Sequence, residues 1–365
     1  MPVCSVLLIL KIISLKIRII LFFCFTVLLS AILISACKKN DVPVDDGTYN
    51  PTYINFTIPA GWPAPATDIF VNNRLTEEGF QLGKKLFYDG RLSKDGNFPC
   101  ASCHQQFAAF ATYDHDFSHG FDNSFTTRNA PGLFNLAWMT KFHWDGGVNH
   151  IEVQPLAPIT TQNEMAETIE NVLNKLKADT DYPRMFKSAF GNSNINSQQM
   201  LKALAQFMGT IVSSNSKYDK VQRGEASFTA SEQNGYNLFK AKCETCHKEP
   251  LFTDNSFRNN GLAVNSFLND FGRMRISNDK NDSLKFKVPS LRNVVLTFPY
   301  MHDGRIYSIG QAIDHYRTGI ITTQPTLDPL LVNRIAITNT EKNDLIYFLN
   351  TLTDTTMTKA ARFAQ

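Results

Sequence analysis

Residues 100–104 read CASCH and residues 243–247 read CETCH. Two thiols held three apart, with a histidine directly after, can close a strained disulfide, grip a metal or take a covalent cofactor. Each outcome fixes a different interior for the chain, so cysteine use decides the matter first. The sequence has seven cysteines. Cys4 and Cys24 lie in an apolar N-terminal segment, and Cys37 follows it. The remaining four are Cys100, Cys103, Cys243 and Cys246, so none is left over for a structural disulfide. C-x-x-C-H is the spacing of c-type haem attachment. The thiols add across the haem vinyl groups, and the adjacent histidine is placed to ligate iron. A four-cysteine zinc site usually keeps its pairs closer in the chain. A redox C-x-x-C does not need the histidine in both copies. The pattern therefore predicts two covalent c-type haems, one on Cys100, Cys103 and His104, the other on Cys243, Cys246 and His247.

The N-terminal segment gives the compartment. Residues 1–36 carry no acid; Lys11, Lys16 and Arg18 precede an apolar run from Ile19 to Leu29, and Leu33-Ile34-Ser35-Ala36 leads into Cys37. This is the plan of an export signal, and its end resembles a bacterial lipobox, with Cys37 as the lipidation site. A single transmembrane anchor is the other reading of so long an apolar stretch. Both deliver the rest of the chain outside the cytoplasm, and the lipoprotein reading places it on the periplasmic face of a bacterial membrane. The whole chain holds 36 Lys+Arg and 33 Asp+Glu; the signal takes three bases, which leaves 33 of each. That balance lacks the basic footprint of a nucleic-acid binder. Residues 37–66 are polar and proline-dotted, as a tether would be.

The surroundings of the two C-x-x-C-H units repeat. Gly83-Lys84-Lys85-Leu86-Phe87 precedes the first and Gly235-Tyr236-Asn237-Leu238-Phe239 the second. Both are G-x-x-L-F within helical patterns, and Thr229 with Glu232 forms a capping box for the second. A glycine inside a helix costs about 1 kcal/mol relative to alanine, which a close helix crossing would offset. The crossing helices are expected at about residues 197–212, with Leu201, Leu204, Phe207, Met208 and Ile211 on one face, and at about 339–352, behind a Thr338/Glu341 box. The expected fold is all-α: a 67–222 and a 223–365 cytochrome c-like domain in tandem, each around one haem.

Four further stretches carry more than electron storage: RNAPGLFNL at 128–136, HWDGG at 143–147, IEVQPLAPITTQNEM at 151–165 and VPSLRNVVLTFPYMHDG at 288–304. In order, spacing and residue type they resemble the bacterial dihaem cytochrome c peroxidase and MauG superfamily, over about residues 68–354. The resemblance implies that His104 ligates a peroxide-reacting haem and His247 an electron-transfer haem. It implies that Trp144 lies between the haems, that Gln154, Pro158 and Glu164 line the distal pocket, and that His119 caps the first iron at rest. It also implies a calcium ion held by Asn129, Thr297 and Pro299, and it allows a homodimer. For the far side of the second haem it points to Tyr316, the position that is methionine in typical peroxidases and tyrosine in MauG-like members; Met301 is the alternative.

Physical chemistry supports several of these roles. A pocket carboxylate such as Glu164 can move a proton between peroxide oxygens, Gln154 can donate a hydrogen bond, and Trp144 can carry an electron hole. Each has a plainer reading: Glu164 as a cap for a helix near Thr160 or Thr161, Trp144 as core, His119 as a solvated loop residue. His115, His143 and His150 read as structural or surface residues. The expected activity is reduction of hydrogen peroxide to water with electrons from a donor cytochrome or cupredoxin. The alternatives are a MauG-like oxidase acting on a protein or small molecule, and a non-enzymatic dihaem electron carrier.

Overall fold

Helix periodicity and capping account for the longest elements the chain builds. A computed structural model describes residues 49–66 and 68–365; the signal segment and Cys37 lie outside the described residues. The α-helices in chain order are α1 Glu77–Phe87, α2 Cys100–Cys103, α3 Leu156–Thr160, α4 Ile169–Lys177, α5 Tyr182–Phe190 and α6 Ser197–Gly209. They continue as α7 Lys217–Gln222, α8 Ala230–Lys242, α9 Met274–Ser277, α10 Ile309–Asp314, α11 Asn339–Asn350 and α12 Thr355–Thr358. The all-α expectation needs one correction: β1 Phe257–Arg258 and β2 Phe286–Lys287 pair antiparallel. Among the described residues no helix is long and apolar enough to cross a membrane.

Two helix crossings organise the packing, α1 against α6 and α8 against α11. The G-x-x-L-F glycines sit at both. A Cβ on Gly83 would stand 1.9 Å from Ala203 O, and one on Gly235 would stand 2.0 Å from Asp344 O. The backbones approach so closely that only glycine fits. Both expected capping boxes form: the Thr229 and Thr338 side chains each accept from a backbone N–H three residues on, and Glu232 and Glu341 reach back. Helix α6 stops at Gly209 and α11 at Asn350, two to three residues short of the expected ends.

Burial divides into two clusters. The first runs from Ile69 to Ile211 and includes Phe80, Phe87, Phe110, Phe186 and Phe207. Met357 and Phe363, from far downstream, also belong to it. Phe363 lies 6.2 Å, centroid to centroid, from each of Phe80, Phe110 and Phe207. The second cluster gathers Tyr218, Phe239, Phe252, Phe348 and Leu352.

From Tyr49 on, the stretch expected as a tether is packed chain. Ile54 N–H donates to Leu75 O at 3.0 Å and Glu77 N–H to Thr52 O at 2.8 Å. Trp62 meets Trp138 edge-on at 4.9 Å and lies under the Arg292 guanidinium at 4.6 Å. Arg292 is fully buried and makes two hydrogen bonds to Asp219, at 2.9 and 2.8 Å. A charge so deep needs such a partner.

Candidate functional site

The two C-x-x-C-H units are built alike at the histidine and differently at the thiols. Cys100–Cys103 is itself the short helix α2, with His104 as its cap; Cys243 is the C-cap of α8. All four thiols are free and half-buried. Burial, helped by the partner thiol, pushes Cys100 and Cys243 up to about 12. His104 Nδ1 lies 2.8 Å from Phe110 O, and His247 Nδ1 lies 3.1 Å from Pro289 O and 3.3 Å from Phe252 O. A Nδ1–H that donates to a backbone carbonyl fixes the tautomer and leaves the Nε2 lone pair for a metal. Burial pushes His104 down to about 4 and also lowers His247, which keeps both rings in the neutral, ligating form. Two thiols and an oriented imidazole in each unit fit a covalent haem.

Glu164 and a residue not expected there, His143, lie near the first unit, and Gln154 meets the latter. Burial holds the Glu164 carboxyl above the ordinary range, and Glu164 lies near enough to Cys103 to act on its thiol. It caps no helix: its N–H donates to Thr161 O at 3.1 Å, past the end of α3, the helix that carries Pro158. Gln154 Nε2 stands 3.3 Å from His143 Nε2. His143, expected to be structural or on the surface, is half-buried and close enough to His104 to disfavour its protonation. The loop that bears His119 lies on Glu164. Phe121 N–H donates to Glu164 O at 2.7 Å, and a Cβ on Gly120 would come 2.2 Å from Asn163 O. The His119 ring itself is exposed, tilted against Phe125 at 4.7 Å.

Around the second unit the two candidate ligands meet at one amide. Tyr316 sits in the five-residue π-turn His315–Gly319 that follows α10, a local distortion common at functional sites. Burial raises the Tyr316 phenol, a hydrogen bond to the Asn260 side chain lowers it, and Cys246 and Cys243 are near enough to act on it. Met301 has a left-handed backbone, φ 74, and its sulfur accepts from Asn260 Nδ2 at 3.4 Å. Sequence reasoning missed Asn260, which carries no motif of its own.

Trp144 stands where the two halves of the chain meet. Its indole N–H donates to Asn129 O at 2.8 Å, and its carbonyl accepts from Lys287 N–H at 2.7 Å. Arg128, next to Asn129, donates to Asp145 at 2.6 Å and to Asp270 at 2.6 and 2.8 Å. Lys287 Nζ donates to Lys141 O at 3.0 Å, and burial pushes it down to about 8. Asn129 is tied to the loop of Thr297 and Pro299 at His302, whose carbonyl accepts the Asn129 N–H at 2.8 Å. The Asn129 side-chain nitrogen donates to His115 O at 3.1 Å and to Asp116 O at 3.3 Å. The Thr297 hydroxyl faces Val294 O at 3.4 Å.

Comparison with known proteins adds similarities over most of the chain. A family model described as di-haem cytochrome c peroxidase matches residues 77–227. The methylamine utilization protein MauG of Methylorubrum extorquens is 36% identical over 286 residues, covering 77% of this chain and 79% of that protein. Cytochrome c551 peroxidase of Nitrosomonas europaea is 33% identical over 287 residues, covering 75% of this chain and 79% of that protein. Among solved structures, a MauG-like protein associated with microbial copper homeostasis superposes with a TM-score of 0.78 at 33% identity. That match covers 85% of this chain and 99% of the other.

Proposed function

Because this chain belongs to the di-haem cytochrome c peroxidase family, which includes the MauG proteins, we propose that it reduces hydrogen peroxide to water with electrons from a donor cytochrome or cupredoxin. Cys100, Cys103 and His104 would hold one haem, and Cys243, Cys246 and His247 the other, each within its own cytochrome c-like domain. When bound, the haems supply the iron at which peroxide is reduced and a store for a second electron.

The observation that carries this reading is the asymmetry of the two units. The first has an acid, Glu164, near Cys103 and an imidazole, His143, near His104, and that imidazole meets the Gln154 amide. The second is faced by two candidate ligands, Tyr316 and Met301. One site is thereby equipped for proton transfer and the other for ligand closure. A carboxyl that burial makes hold its proton more tightly can give that proton to the leaving oxygen, with geometry deciding. Gln154 offers an amide hydrogen bond. Trp144, bonded to Asn129 and Lys287, is a side chain of low oxidation cost lying between elements of both halves.

Tyr316 favours the second reading, a MauG-like oxidation of another substrate, since a phenolate ligand stabilises the oxidised metal. Stopped-flow mixing with peroxide in the diferric and mixed-valence states, followed by turnover with a reduced donor cytochrome, separates the two. Sustained donor oxidation supports the peroxidase. Reaction with peroxide without donor turnover supports the MauG-like reading, and no reaction with peroxide sinks both.

The proposal extends to calcium and to location. Calcium prefers oxygen donors, and the Asn129 side-chain oxygen with the Thr297 and Pro299 carbonyls would supply three. Export by residues 1–36 and lipidation at Cys37 would place the protein on the periplasmic face of a membrane; partitioning of the Cys37→Ser protein into the aqueous phase of a detergent extraction tests this.

A further inference from the structure

We propose that His143 is a positioning residue of the first pocket: it holds the Gln154 amide in one orientation and so sets which amide group is turned toward a ligand of the haem that His104 would hold. This rests on reading that pocket as the peroxide site.

The ring's root is fixed. His143 has a left-handed backbone, φ 63, uncommon for a non-glycine residue though histidine is among those that take it most readily. A tight turn holds it: Phe142 N–H donates to Val148 O at 2.7 Å, and Gly146 N–H to His143 O at 3.4 Å. On the other side Trp144 is held through its indole and its carbonyl. The ring then meets Gln154 nitrogen to nitrogen at 3.3 Å. Its charged neighbours are Asp145, Lys287 and Arg128; burial and the two cations keep the imidazole neutral.

A neutral imidazole has one N–H and one lone pair. With the lone pair on Nε2, the ring accepts from the Gln154 amide nitrogen. The amide then keeps one N–H and its oxygen for the pocket. Without the ring the amide can turn over, exchanging nitrogen for oxygen. His143 thus acts through Gln154, on a pocket where hydrogen bonds to oxygen matter, without itself touching a ligand.

Fluoride binding to the diferric holoprotein reads this, because bound fluoride is a pure hydrogen-bond acceptor. His143→Asn is the variant of choice, since asparagine tolerates a left-handed backbone and is too short to reach Gln154. It is expected to weaken fluoride about five-fold, the worth of one ordinary hydrogen bond, and to shift the absorption band of the fluoride complex. In a Gln154→Leu background the same substitution is expected to change affinity by less than about two-fold, because coupled residues are not additive. An equal loss in both backgrounds, or no loss in either, overturns the proposal. If the natural protein binds fluoride at neither haem, the open-pocket reading falls and takes the proposal with it.

Discussion

Glu164 is the residue whose chemistry and energetics can be separated by one substitution. Burial raises its carboxyl, so the charged form is the costly one. Such a group contributes stability while protonated and loses that contribution as pH rises through its folded pKa. Glu164→Gln stays neutral throughout. It is expected to be at least as stable as the natural protein at neutral pH, with the difference shrinking as pH falls toward the ordinary carboxylate range. Peroxide turnover is expected to fall by a factor on the order of 10²–10⁴. Melting curves at two pH values and single-turnover kinetics check the two halves independently. Tyr316 and Met301 form a second residue-scale test. Tyr316→Phe is expected to change the absorption spectrum and potential of the second haem and leave the first intact, with Met301→Ala nearly silent; the reverse outcome makes the thioether the ligand. The two C-x-x-C-H units were legible because their signal is a local spacing. His143 and Asn260 were not. The role of His143 depends on a left-handed turn and on Gln154. That of Asn260 depends on Met301 and Tyr316, both distant in the chain.

At the scale of elements, Gly235 sets two effects of opposite sign against each other. Helix propensity alone favours Gly235→Ala by about 1 kcal/mol. The added methyl, however, would stand 2.0 Å from Asp344 O and 2.8 Å from Phe348 Cβ. Backbone cannot yield as a flexible side chain can, so α8 and α11 would have to part. Overpacking of this kind costs about 1–3 kcal/mol, and steric loss should prevail. Urea denaturation is expected to show a net loss of stability; a gain would mean that the crossing is looser than described. The crossing helices were legible from glycine, caps and apolar stripes together. Their ends were overestimated for a physical reason: Ile211 and Leu352 are fully buried beyond the last helical turn, so the apolar pattern outlasts the helix. The pairing of β1 with β2 was not legible, since two residues per strand leave no alternation to detect.

For the whole molecule, substitution of Cys243 and Cys246 together is expected to leave one haem by mass spectrometry of the purified protein, and two surviving haems would refute the assignment. Chelation is expected to slow peroxide turnover without releasing haem; an unchanged rate and no calcium by elemental analysis would remove the ion from the account. The junction of the halves has its own logic. Arg128 joins Asp145 to Asp270, all three largely buried, so the residues beside Trp144 are tied to the second half by charge as well as by hydrogen bonds. None of these pairings follows a sequence period, and the motifs RNAPG and HWDGG marked the place without showing what met there.

The packing of Phe363 against Phe80, Phe110 and Phe207 has a consequence in time. The first half of this chain leaves the ribosome, and on the proposed export route crosses the membrane, before residues 357–363 do. Tyr88 and Lys84, whose side chains donate to Phe363 O and Arg362 O, wait for partners throughout that interval. The earliest part of the nascent chain therefore carries an open aromatic face until a segment far downstream arrives to close it.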